Sequence, residues 1–250
     1  MQGTRWLPLG EPTLTRPRLF CFPHAGASAA AYGGWQRVAG DQIAVCPVQP
    51  PGRAERYRVP AYHDVDAFVD DLVTDLGHQF TGHYALFGHS MGALVAYELA
   101  RRLQANGAPA PVHLFVSGRT APHLAETRTR LRDLPVDRLV HELRRMGGTP
   151  DMLLRDRELL EAFLPLLRAD FSVNETYRYQ PHLPLAIPLT AFGGQSDPRA
   201  EEWEMREWAT HTSARFQCRM YPGGHFFTEE HTADVLGVMR SELLCTAPLS

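Results

Sequence analysis

Ser90, Asp197 and His225 have the types and the chain order for nucleophilic acyl chemistry. Ser90 sits at the centre of Gly88-His89-Ser90-Met91-Gly92, a G-x-S-x-G pattern. The apolar run 84–87 before it reads as a buried strand. Residues 91–103 after it read as a helix with Leu94, Val95, Tyr97, Leu99, Ala100 and Leu103 apolar. A strand turning sharply into a helix forces its turn residue into strained backbone angles. Side chains two places before and after would collide, which explains glycine at 88 and 92. Such a turn lifts the Ser90 hydroxyl clear of the sheet, at a helix N-terminus that favours developing negative charge. A plainer reading makes Ser90 a capping residue in a glycine-rich turn, so its partners matter.

Serine alone is a poor nucleophile. A histidine must take its proton and pass it to the leaving group, and an acid must fix the imidazole tautomer. Asp197 lies in Gly193-Gly194-Gln195-Ser196-Asp197-Pro198 and His225 in Pro222-Gly223-Gly224-His225-Phe226-Phe227. Each follows a predicted strand, where the catalytic loops of parallel sheets collect. Singly, one could be a turn-former and the other a loop residue; together, in the order Ser, acid, His, they read as a triad. The oxyanion hole is then expected from the backbone N–H groups of Met91 and Ala25, the latter in the loop after the first strand. His24 in that loop is read as orienting it, since His225 already fills the base position.

The elements that must position these residues alternate. Strands are predicted over 18–23, 43–48, 84–87, 112–117, 187–192 and 215–221, with helices over 65–80, 91–103, 200–209 and 233–244. Strands that are apolar throughout imply a mostly parallel sheet with helices on both faces, an α/β fold. Residues 1–16, rich in Pro and Thr, read as a loose lead-in. Residues 124–184 break the rhythm: helices over 135–145, 155–168 and 169–179 and no strand. This block reads as a lid inserted into a single domain spanning 1–250. Leu153, Leu154, Phe163, Leu166, Leu167 and Phe171 are its expected pocket wall, and side chains of that size suggest a small chamber suited to short acyl groups. The arginines at 119, 128, 130 and 132 are candidates for flanking the mouth, diluted by Glu126 and Asp133.

Composition narrows the classes. The chain has 250 residues, 44% hydrophobic and 21% charged, with a formal charge of −3. Such a balance gives no reason to expect nucleic acid or an anionic membrane as partner. All 25 basic residues are arginine, which excludes a Schiff-base or Walker lysine. No apolar segment approaches the roughly 20 residues of a membrane span. The four cysteines are scattered without a C-x-x-C, and the histidines have no ligand spacing, so reduced core thiols in a cytoplasm and no metal are expected. No cofactor is expected, and a monomer is the default.

The ordered set Phe22-Pro23-His24-Ala25-Gly26, Gln49-Pro50-Pro51-Gly52-Arg53-Ala54-Glu55-Arg56, Gly88–Gly92, Gly193–Pro198 and Gly223–Phe227 resembles the type II thioesterases of polyketide and nonribosomal peptide synthesis, α/β-hydrolases. The match runs from about residue 18 to 244. Ala27 stands where the family is expected to have glycine, which would narrow the mouth beside the oxyanion hole. The resemblance implies an editing enzyme that hydrolyses aberrant or stalled acyl groups from the phosphopantetheine arm of acyl or peptidyl carrier proteins, with Ser90, Asp197 and His225 in the roles derived above. A carboxylesterase or lipase, an acyltransferase and a non-catalytic binding protein on this fold are the alternatives. The acyltransferase's G-Q-G-S-Q-like element and the esterase's HGGG-type loop are both missing, and an intact triad argues against a binding protein.

Overall fold

The computed structural model describes residues 5–10, 12–125 and 127–245, so Glu126 lies outside the described residues. The strands are β1 (Arg18–Phe22), β2 (Ala44–Pro47), β3 (Tyr84–His89), β4 (His113–Ser117), β5 (Leu189–Gly194) and β6 (Phe216–Tyr221). The α-helices are α1 (Trp35–Ala39), α2 (Val65–Leu76), α3 (Met91–Ala105), α4 (Val136–Met146), α5 (Asp151–Arg155), α6 (Arg157–Glu175), α7 (Glu202–Arg206), α8 (Phe227–Glu230) and α9 (Thr232–Cys245). The sheet runs β2-β1-β3-β4-β5-β6 with every pairing parallel.

Alternate residues of β1, β3, β4 and β5 serve opposite cores, which is why these strands have no solvated face. Leu19, Cys21, Ala85, Phe87, Phe115 and Phe192 pack with α1 and α9. Phe20, Phe22, Leu86, Leu114, Val116, Leu189 and Ala191 pack with α2 and α3. Strand order reverses between β1 and β3, so the loops leaving those two strands diverge and open a crevice at the carboxyl edge of the sheet.

The lead-in is not loose where it is described. Trp6 and Leu7 are each 1% exposed. The Trp6 indole N–H donates to Asp75 Oδ2 at 2.8 Å, its ring stacks on Phe68, and the Arg56 guanidinium lies 3.9 Å from the ring centroid. Burial of one large aromatic outweighs the turn-forming composition around it.

Between β4 and β5, α4 to α6 build their own cluster of Leu131, Leu139, Leu143, Leu154, Leu160, Leu164, Leu167 and Phe171. The two helices expected over 155–168 and 169–179 are one, α6. Its apolar spacing Leu160, Leu164, Leu167, Phe171 runs on without a break, past Pro165 in the helix interior and the expected boundary at Arg168.

The two roots of this insertion are clasped by a polar chain whose middle members, Tyr97 and His211, are buried. His182 Nδ1 donates to the Leu183 carbonyl at 2.7 Å, so its Nε2 is left to accept from Tyr97 O–H at 2.7 Å. The Tyr97 oxygen then accepts from His211 Nδ1 at 2.7 Å, and His211 Nε2 accepts from His123 Nδ1 at 2.8 Å. Every proton in the chain points the same way. A second proton on His211 would face the His123 N–H, and burial together with His123 lowers the His211 pKa to about 3. His113, stacked on Phe115 and 1% exposed, is likewise lowered to about 4 by burial.

The elbow is the tightest contact in the fold. A Cβ on Gly88 would lie 1.9 Å from the Gly92 carbonyl oxygen, and one on Gly92 would lie 2.0 Å from the Phe22 carbonyl oxygen. Both neighbours are backbone and cannot turn aside. Gly92→Ala should therefore cost more than about 4 kcal/mol, the range reserved for specific failures. Gly77→Ala, at φ −52 with nothing within 4 Å, should be neutral or mildly stabilising. Thermal melting checks both; a Gly92→Ala protein with wild-type melting and activity would contradict the contact.

His211, within the clasp, and His113 contribute a pH dependence. Their folded pKa values lie below the unfolded value of about 6.5, so the unfolded chain takes up protons first as pH falls. Stability is complete above about pH 6.5 and is lost downward towards pH 4 and then 3. At pH 5 the loss is about 2 kcal/mol for each of His113 and His211. A Tm lower by about 10 °C at pH 5 than at pH 7 is expected, and an unchanged Tm would show that these rings are not held neutral.

Candidate active site

Strain marks Ser90 at once. It has φ 54 and ψ −113, one of two described non-glycine residues with positive φ, and it precedes the first helical residue of α3. Its N–H donates to the Ser117 carbonyl at 2.8 Å, so the turn is anchored to β4 as it leaves the sheet. Among the described residues Ser90 Oγ makes no hydrogen bond, which leaves the hydroxyl free to turn. Such contacts often tighten only with substrate.

Asp197 and His225 come together from neighbouring loops. His225 Nδ1 donates to Asp197 Oδ2 at 2.8 Å, with both side chains buried. That bond puts the ring's proton on Nδ1 and leaves Nε2 as the acceptor. Backbone bonds hold the loops in register: Gln195 N–H to the Tyr221 carbonyl at 2.8 Å and Ser196 N–H to the Gly223 carbonyl at 2.9 Å. The other Asp197 oxygen accepts from the Arg199 N–H at 2.8 Å, so both oxygens have a donor.

Around His225 the structure adds His89 and Gly118, which the sequence had not singled out for a role, beside the expected His24. His89 lies 5.1 Å from it, centroid to centroid, and its Nδ1 meets Ser117 Oγ at 2.9 Å. Gly118, at φ +60, leaves room for both rings; a Cβ there would meet His89 Cε1 at 2.7 Å. His24 packs against Phe226 and His89. Burial, then the neighbouring His225, lowers His24 to about 4 and His89 well below the ordinary histidine value. Both are neutral at pH 7, so neither sets a positive charge against a proton arriving on His225. The only sequence signal for His89 was its place as an x in G-x-S-x-G.

Ser90 and His225 line one cavity of about 720 Å3 with His24, Leu153, Phe163, Leu167 and Phe171. Two expected wall residues are elsewhere. Leu154 is buried in the core that α4 to α6 share, because it faces α6 rather than the opening. Leu166 turns away towards Gly52 and Ala61, where a Cβ on Gly52 would meet it at 2.9 Å. Nor is the chamber small: this volume falls within the range of about 300–1,000 Å3 typical of whole small-molecule sites. The spacing of the leucines gave their number but not their directions.

Met91 N–H and Ala25 N–H have no acceptor among the described residues, while the next donor, Gly26 N–H, is held by Asp170 Oδ2 at 2.7 Å. Free donors are what a developing oxyanion requires; Ala25 lines the same cavity as Ser90, and Met91 follows Ser90 directly in the chain. Of the four arginines expected at the mouth, Arg119 and Arg130 line the cavity. Arg128 is paired with Glu204, and Arg132 with Asp133 at 3.1 Å, so the expected basic patch is partly neutralised. Arg178 and Arg199 line the cavity instead.

The arrangement can carry out acyl transfer from a thioester or ester to serine and then to water. Among the described residues no group of three or more His, Cys, Asp or Glu side chains could hold a metal, and no helix is long and apolar enough to cross a membrane.

A thioesterase-domain family profile matches residues 17–243. A Brevibacillus parabrevis protein named linear gramicidin dehydrogenase LgrE is 41% identical over 246 residues, 96% of this chain and 93% of its own. Despite that name, solved structures that resemble this chain include thioesterases. RedJ, from the prodiginine pathway of Streptomyces coelicolor, superposes with a TM-score of 0.83 at 41% identity, over 91% of this chain and 86% of that one. BorB, the type II thioesterase of the borrelidin cluster, reaches 0.88 at 36% identity, over 97% and 99%. The chain therefore belongs to the thioesterase family, as a serine hydrolase of the α/β-hydrolase fold whose relatives are type II thioesterases of polyketide and nonribosomal peptide pathways.

Proposed function

We propose that this protein is an editing hydrolase that removes aberrant or stalled acyl groups from the phosphopantetheine arm of acyl or peptidyl carrier proteins in such a pathway. Ser90 is the nucleophile, His225 the general base and then acid, and Asp197 the residue that holds the imidazole tautomer. The observation that carries this reading is the Asp197–His225 hydrogen bond, 2.8 Å long and buried, at the wall of a cavity that also receives Ser90. Attack by Oγ on the thioester carbonyl passes its proton to His225 Nε2. The tetrahedral oxyanion takes the N–H groups of Met91 and Ala25, and the pantetheine thiol leaves with the proton from His225. Water then repeats the sequence on the acyl-enzyme.

The helical insertion acts as a lid over the cavity, and the substrate is a long thin arm ending in an acyl group. A cavity of about 720 Å3 holds an acyl group together with part of the arm. The apolar side chains Leu153, Phe163, Leu167 and Phe171 take the acyl end, while Arg119, Arg130, Arg178 and Arg199 give the rest of the lining cationic character. No resident cofactor takes part; the pantetheine arrives with the substrate.

Ser90→Ala should fold as the parent does and lose kcat by at least about 10³-fold, since only binding and oxyanion-hole effects remain. Near-wild-type turnover would remove Ser90 from the mechanism. Asp197→Asn and His225→Ala should combine with far less than multiplicative loss, because they act as one unit. Multiplicative losses would show that they act separately. The substrate class is tested by comparing acyl-carrier protein, acyl-coenzyme A and a nitrophenyl ester. A kcat/KM highest for the carrier protein is expected, and a preference for the free ester would make this a carboxylesterase.

A further inference from the structure

Helix α6 reaches the oxyanion loop with more than apolar contact. Asp170, 2% exposed, accepts the Gly26 N–H at 2.7 Å on Oδ2. The same oxygen takes Arg53 Nη1 at 2.6 Å, and Oδ1 takes Arg53 Nη2 at 2.7 Å. Arg53 is itself fixed by the carbonyls of Pro51 at 2.9 Å and Ala27 at 3.0 Å. The carboxylate thus binds two sides of one loop: Gly26 directly, and Ala27 through the arginine. Between them and the sheet lies Ala25, whose N–H is the proposed oxyanion donor.

We propose that Asp170 is a positioning residue for hydrolysis: through Gly26 it holds the Ala25 N–H where the oxyanion forms, with Arg53 locking the carboxylate in place. Removing a donor altogether costs about 10²–10³ in kcat, so an error in its placement is expensive. The buried ion pair itself is poor evidence for a stabilising role, because desolvation of both charges offsets their attraction and apolar replacements are often neutral. Its worth lies in direction. A bidentate arginine fixes the carboxylate plane, and the carboxylate fixes the loop.

The stripe that carries Asp170 also carries the cavity wall. Phe163, Leu167 and Asp170 are spaced i, i+4, i+7 on one face of α6. A Cβ on Gly26, at φ +79, would meet Phe163 Cζ at 2.8 Å and Leu167 Cδ1 at 3.2 Å. The helix that touches the acyl group therefore seats the oxyanion donor, and the hole is complete only with α6 docked.

The assignment rests on the oxyanion hole proposed above, and the test separates the two. Arg53→Met/Asp170→Leu removes both charges together and leaves neither orphaned. With a small acyl-pantetheine thioester and with nitrophenyl acetate, we expect melting close to wild type, kcat lower by about 10- to 100-fold and KM within about threefold. Affinity for a boronic acid that adds to Ser90 should fall in the same proportion as kcat. If the double variant does not fold, the isosteric Asp170→Asn takes its place. Its amide N–H group, in place of Oδ1, meets Arg53 Nη2 donor to donor, so the side-chain plane that holds Gly26 is no longer fixed by the arginine fork, and kcat should fall about 10-fold with KM held. A folded variant with wild-type kcat, or a loss confined to KM, overturns the positioning role. A wild-type enzyme that cleaves the nitrophenyl ester but not the thioester would instead overturn the substrate reading and leave the kcat comparison intact.

Discussion

Gly92, in the first turn of α3, lies where a side chain would enter the carbonyl of Phe22 at the end of β1, and Gly88 faces Gly92 across the same turn. This backbone-on-backbone contact fixes how closely the nucleophile helix can approach the sheet. Ser90 takes its position from it. The turn between the two glycines holds Ser90 at φ 54 and presents its hydroxyl to the crevice. The same approach sets the end of β1, from which the loop with Ala25 departs, against the first turn of α3, and the proposed oxyanion donors come from these two elements. Because β1 and β3 are neighbours at the point where strand order reverses, their loops open that crevice rather than close it.

Electrostatics follow the same economy of placement. His225, the proposed base, is flanked by two imidazoles kept neutral by burial, His24 and His89, so neither of them opposes a proton arriving on it, and Asp197 supports that proton. The buried charges of Arg53 and Asp170 are paired with each other and set against the loop after β1. The insertion is held in the same manner. Its roots meet through Tyr97 on the nucleophile helix, and its long helix meets the oxyanion loop through Asp170. A structural element added between β4 and β5 is thus joined by directed polar contacts to α3 and to the loop after β1.

Much of this was legible in the chain itself. Apolar strands without alternation announced a sheet covered on both faces, and the glycine spacing around Ser90 announced the turn. These are local signals, carried by residues within a few positions of one another. What was hidden is non-local. Arg53 lies in a segment that carries the resemblance, but its partner Asp170 is 117 positions away and nothing around it points back to the arginine. Trp6 sits in a stretch whose prolines and threonines suggest a loop; only Phe68 and Asp75 on α2, far along the chain, explain its burial. The short helices α1, α5 and α8 have too few turns to show a period. Leu154 and Leu166 show the limit of counting apolar residues in a helix: both were expected in the cavity, and packing turned one into the insertion's core and the other towards Gly52.

The proposed mechanism stands on a covalent intermediate at the elbow, and that species can be observed. Rapid-quench mass spectrometry of the enzyme mixed with an acyl-pantetheine thioester should show, before steady state, a mass increase equal to the acyl group. Proteolysis should place it on the peptide that carries Ser90. Steady turnover with no adduct on any millisecond timescale sampled, or an adduct on another residue, would contradict the account.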